Sequence, residues 1–173
     1  MEGKPSNHTH HTKQMTTTTH TGQDNARAKL ATIEAIYELH RFGVTHNLED
    51  KKPVSDLSTE ATELLTDNGL ELDGLTTDEI NDVVWQACRA ECLGVDYSAT
   101  WSRDCEHDGS PDSFKIWLSV GGPSCWVRGD FGLHSIDNDS LRFCFSWASA
   151  SDFLWLDDAQ REALAWFAEE VAG

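Results

Sequence analysis

FKIWLSVGGPSCWV, residues 114–127, decides the fold. Phe114, Ile116, Leu118 and Val120 occupy every second position, which is the period of a strand with one buried face. The alternation breaks at Gly121–Gly122–Pro123 and resumes with Cys125 and Val127. Two alternating runs around a glycine-rich break predict a β-hairpin, with one glycine at positive φ in the turn. Working outward, Val95, Tyr97, Ala99 and Trp101 form an earlier alternation, and Leu141, Phe143, Phe145 and Trp147 a later one. Four strands in succession predict an antiparallel four-stranded meander.

The flanks change period. Leu30, Ile33, Ile36, Tyr37, Leu39 and Phe42 recur at helical spacing from Asp24, and Gly43 reads as a C-cap. A short helix is predicted over 58–67, closed by Asn68–Gly69. Thr76-x-x-Glu79 is a capping box opening a third helix, with Ile80, Val83, Val84, Ala87 and Cys88 on one face and an end at Gly94. Near the C-terminus, Asp157 and Gln160 cap a last helix whose buried side is Ala163, Leu164, Phe167 and Val171. N-terminal helices, a meander and a C-terminal helix make the class α+β. Residues 1–23 hold almost no large apolar side chain and are expected to be a disordered tail, leaving 24–173 as a single acidic domain.

Charge is the strongest global signal, with 30 acidic against 13 basic residues and a net −17. From Glu49 to Asp112 there are 17 acids and four bases, so that stretch alone carries −13. Such a surface repels phosphates and anionic membranes and attracts basic partners. No apolar run reaches the ~18 residues of a membrane span. No secretory signal is visible, and an odd set of five cysteines suits reduced thiols, so a cytoplasmic location is expected.

Chemistry has few candidates. Cys88 and Cys92 stand four residues apart on the third predicted helix, and Cys105 and His107 follow in a loop. Together these four could close a tetrahedral zinc site, or serve a thiol-dependent enzyme. The alternative is that Cys88 is a small core residue and the others are incidental. No P-loop, G-x-S-x-G elbow, G-x-G-x-x-G or H-E-x-x-H occurs, so no catalytic residue and no cofactor is assigned. Seven tryptophans invite a different reading. Strand period places Trp117 opposite the Phe114/Ile116/Leu118 face, with Trp126 on the same side. These two are either covered core or exposed anchors for a partner.

Ile116–Gly129, IWLSVGGPSCWVRG, resembles a motif in proteins of no assigned activity that bacteriophages and other mobile elements carry. Their pattern is an aliphatic strand, L-[ST]-x-G-G-P, then a second strand ending in Gly. The resemblance runs from Leu93 to Val171, through Trp147, Trp155 and the closing LDDAQREALAWFAEEV. It departs where Ser146 stands for the usual Asp and Ala148–Asp152 replace a Gly-Thr-Pro-Trp run. Cys105 and His107 lie outside the pattern. The resemblance implies a genomic setting in which small acidic proteins act as anti-restriction or anti-CRISPR inhibitors. On that reading Asp104, Glu106, Asp108 and Asp112 steer the chain to a basic nucleic-acid-binding host protein, and Trp117 and Trp126 anchor it. The alternative is the small zinc or thiol enzyme built on Cys88, Cys92, Cys105 and His107.

Overall fold

The computed structural model describes residues 9–46, 56–99, 110–133 and 135–173. Helix α1 spans Thr9–His46, α2 Thr59–Asp67, α3 Thr77–Glu91 and α4 Asp158–Ala172. Strands β1 Gly94–Ser98, β2 Ser113–Ser119, β3 Ser124–Phe131, β4 Ile136–Trp147 and β5 Ala150–Phe153 form one sheet in the order β1-β2-β3-β4-β5. Every neighbouring pair is antiparallel, so the class is α+β. The expected hairpin is β2–β3, and Gly121 in its turn has φ +103°. Val120 falls beyond the strand and is exposed.

The sheet has five strands where alternation predicts four. β5 is an edge strand of four residues, ASDF, too short to display a period. Trp147 pairs with Ala150, so the turn before it is Ala148–Ser149. Ala148 holds φ +53°, a conformation usually marked by Gly or Asn, and it carries no such mark here.

Helix α1 also departs from expectation. It begins at Thr9, ahead of Asp24, so much of the segment assigned to a tail is helical. Gly22 supplies the reason. It is buried, and a Cβ there would lie 3.2 Å from both Phe145 Cδ2 and Trp147 Cβ. The contact upstream of Asp24 is made by backbone, which composition does not register. Once docked, the helix is already nucleated, so turns added ahead of Gly22 avoid the nucleation cost. At the other end the helix continues through Gly43 to His46. Gly43 is no C-cap but a crossing point, where a Cβ would come within 3.1 Å of Ile80 Cγ2 on α3.

Layering follows from these contacts. α1 packs on β3, β4 and β5 and on all three other helices, while α4 packs on β2, β4, α1 and α3. The inner sheet face (Phe114, Ile116, Leu118, Cys125, Val127, Leu141, Phe143, Phe145) is buried with Ile33, Ile36, Leu39, Leu164 and Phe167 of those helices. α2 and α3 lie outside, on α1. Ser58 caps α2 by accepting from Ala61 N, and its own N–H and hydroxyl donate to Glu38 of α1. The boxes of Thr76 with Glu79 and Asp157 with Gln160 start α3 and α4 as expected. No helix among the described residues is long and apolar enough to cross a membrane.

Candidate functional site

Two faces, on opposite sides of the molecule, carry unusual chemistry. The first is the α2–α3 hairpin. Residues 56–91 hold ten carboxylates against one arginine, a net −9. Nine of the ten are exposed: Asp56, Glu60, Glu63, Asp67, Glu71, Asp73, Asp78, Glu79 and Asp82. The tenth, Glu91, pairs with Lys29 at 2.7 Å. Helical spacing puts Glu63 beside Asp67 and Asp78 beside Asp82, each pair four residues apart, where like charges destabilise a helix. The fold employs few of these acids. Glu79 does contribute, since hydrogen bonds from Thr76 hold its carboxyl below the ordinary range. Trp85 stands among them, 58% exposed, with the Arg89 guanidinium 4.5 Å from its ring.

The second is the outer sheet face. The β2–β3 register sets Trp117 opposite Trp126 and Lys115 opposite Arg128. β4 extends both rows with Cys144 and Arg142. The indole rings lie 5.7 Å apart, and Lys115 Nζ caps them at 3.3 Å from the Trp117 centroid and 4.4 Å from that of Trp126. Trp117 Nε1 donates to Asp96 at 2.7 Å. Burial lowers the Lys115 pKa, an effect opposed by Asp96. Trp117 and Trp126 are thus half-buried under a cation, neither core nor bare patch.

The cysteines point away from thiolate chemistry. Burial pushes the Cys88 thiol up to about 12, and raises Cys92, Cys125 and Cys144 as well. A ligand or nucleophile needs the opposite shift. Cys88 is buried on α3 and Cys92 is that helix's C-cap, while Cys105 and His107 lie outside the described residues. Among the described residues no three His, Cys, Asp or Glu side chains gather as a metal site.

Three of the six expected partner-binding residues fall within the described residues. Asp104, Glu106 and Asp108 lie outside the described residues. Asp112 precedes β2, its N–H donating to Ser98 O and its carbonyl accepting from Phe131 N. Trp117 and Trp126 do sit together, but among cations. Sequence reasoning passed over Lys115, Arg128 and Arg142. Each stands between two inward residues and so was assignable to the outer face, but their juxtaposition depends on strand register, which alternation leaves open. Compared with protein-family models, curated proteins and solved structures, the chain matches none.

Proposed function

We propose that this chain is a binding protein, an inhibitor of a host defence system of the anti-restriction or anti-CRISPR type, whose acidic α2–α3 face occupies a basic nucleic-acid-binding surface. The observation that supports this most is the −9 on residues 56–91, carried by exposed side chains with a single ion pair among the described residues. A requirement for solubility alone is met by evenly spread charge, and here it is concentrated on one hairpin. Carboxylates held outward on two short helices offer a basic groove the negative potential it normally finds in phosphates. In this reading Trp85, within the acidic face, is the aromatic anchor. Trp117 and Trp126 belong to the opposite side of the sheet.

Capture of host proteins on the immobilised chain tests the proposal. A specific partner should elute at about 0.5 M salt, where screening is tighter than the ~8 Å of physiological salt. It should be displaced by its own DNA or RNA. It should also be lost from a variant carrying Glu63→Gln, Asp67→Asn, Glu71→Gln, Asp73→Asn and Asp82→Asn. Retention by that variant, or direct binding of nucleic acid by the isolated chain, would overturn it.

A further inference from the structure

Lys115, Arg128 and Arg142 stand directly opposite one another on three consecutive strands. Neighbouring strands are ~4.8 Å apart, so the three positions form a row ~10 Å long, with the Lys115 ammonium turned toward the neighbouring tryptophans. Like charges directly opposite destabilise a sheet. In a chain with 13 basic residues against 30 acidic ones, aligning three of them is not what stability calls for. Their internal partners are few. Arg128 is exposed, and its side chain makes no hydrogen bond or ion pair among the described residues. Among the described residues Arg142 donates through Nη1 alone, to the carbonyls of Asp139 and Leu141.

A shallow cavity of about 540 Å³ opens over this row. The three cations line it with Ser98, Ser113 and Ser140, against one carboxylate, Asp130. Cys144 is next to Arg142 on β4, and all three cations favour its thiolate against the larger effect of burial, so their fields overlap there.

We propose that this row binds a small, multiply charged oxyanion of the di- or polyphosphate class. Three long cationic side chains rooted over ~10 Å can converge on two or three linked phosphates, and arginine forks suit their oxygens. The overall −17 favours a small ligand over a nucleic-acid strand, whose charge extends beyond the row into the repelling field. Lys115 already caps the tryptophans, so no free stacking platform for a base stands beside the row.

Inorganic pyrophosphate is the probe, titrated by calorimetry at low ionic strength with tryptophan fluorescence as a second readout. One site per chain is expected, with a fluorescence change from Trp117 and Trp126. Arg128→Gln should weaken binding about tenfold or more, the loss of a charge-assisted contact. Circular dichroism should show that variant folded, because Arg128 is exposed. Lys115→Gln should weaken binding too, and Arg89→Gln on α3 should leave it unchanged. ATP should bind about as well as pyrophosphate. No saturable signal, an equal loss in Arg89→Gln, or tighter binding of a single-stranded oligonucleotide would overturn the proposal.

Discussion

The α2–α3 hairpin and the outer sheet face both gather charge of one sign, and they do it by different means. On the hairpin, nine exposed carboxylates spread over two helices, the loop between them and the turn before α2, where water separates them. On the sheet, register fixes the backbone positions of Lys115, Arg128 and Arg142 side by side, even though the Lys115 ammonium turns over Trp117 and Trp126. The layer of α1 and α4 lies between the two regions. A net charge of −17 therefore describes neither the sheet face nor what it attracts. Electrostatic steering has to be argued face by face, since attraction between charges fades within a Debye length in salt. A helix surface suits long-range attraction of a large basic partner. A sheet row suits short-range grip on a small anion.

Breaking the sheet should break the comparison outright, and Gly129 is the place to do it. It faces Phe114 across β2–β3, between the Arg128 row and the core. A Cβ there would sit 2.8 Å from Phe114 Cζ and 2.9 Å from Leu141 Cδ2, both in the packed interior. Gly129→Val should cost about 2–4 kcal/mol by urea denaturation, through overpacking. Gly121→Val comes next, at about 1–3 kcal/mol, and for another reason. Nothing lies within 4 Å of its Cβ position, so the penalty comes from φ +103° alone. Gly122 inverts this, since a Cβ there would meet Trp147 Cζ3 at 2.6 Å. If Val is neutral at both Gly121 and Gly122, the turn geometry is wrong.

On the helical side a smaller, pH-dependent effect is expected. His40 of α1 is half-buried, 4.6 Å from the Trp166 ring centroid, and that burial lowers its pKa, while Glu170 raises it to a lesser degree. Its folded pKa lies below the unfolded value, so the unfolded chain binds the proton more readily. The stability it contributes is complete above the ordinary histidine range and declines as pH falls through about 6.5 toward the lowered folded pKa. His40→Gln should remove that part of the slope between about pH 7 and 5. An unchanged slope in melting temperature against pH would refute it.

Much of this fold was legible in the sequence, for identifiable physical reasons. The capping boxes of α3 and α4 and the 114–127 hairpin are local, and local chemistry determines them. What was hidden depends on partners distant in sequence. Gly22 and Gly43 are positions of close approach whose reason lies on Phe145, Trp147 and Ile80. β5 exists because β4 offers an edge to pair with, and not because Ala150–Phe153 favours a strand. The excess of acid was countable, though its density on α2–α3 became visible only once exposure was known. The cation row required register.

The finest test concerns what each cluster costs. At the end of α2, Asp67 lies four residues beyond Glu63, with no basic residue in the last turn. Both the neighbouring carboxylate and the negative end of the helix oppose it. Asp67→Asn should therefore stabilise the protein by about 0.3–0.5 kcal/mol. Arg128 lies between two cations and has no partner of its own among the described residues, so Arg128→Gln should stabilise by a similar few tenths, about 0.2–0.5 kcal/mol. Both gains should shrink as salt is added, because screening already relieves the repulsion that each substitution removes. Urea midpoints at low and high ionic strength resolve the sign. A loss of stability in Arg128→Gln would mean that the row helps hold the sheet together, and the case for a phosphate ligand would fall with it. A gain would mean that the sheet keeps these charges aligned against its own stability, as a site whose ligand supplies the missing counter-charge would.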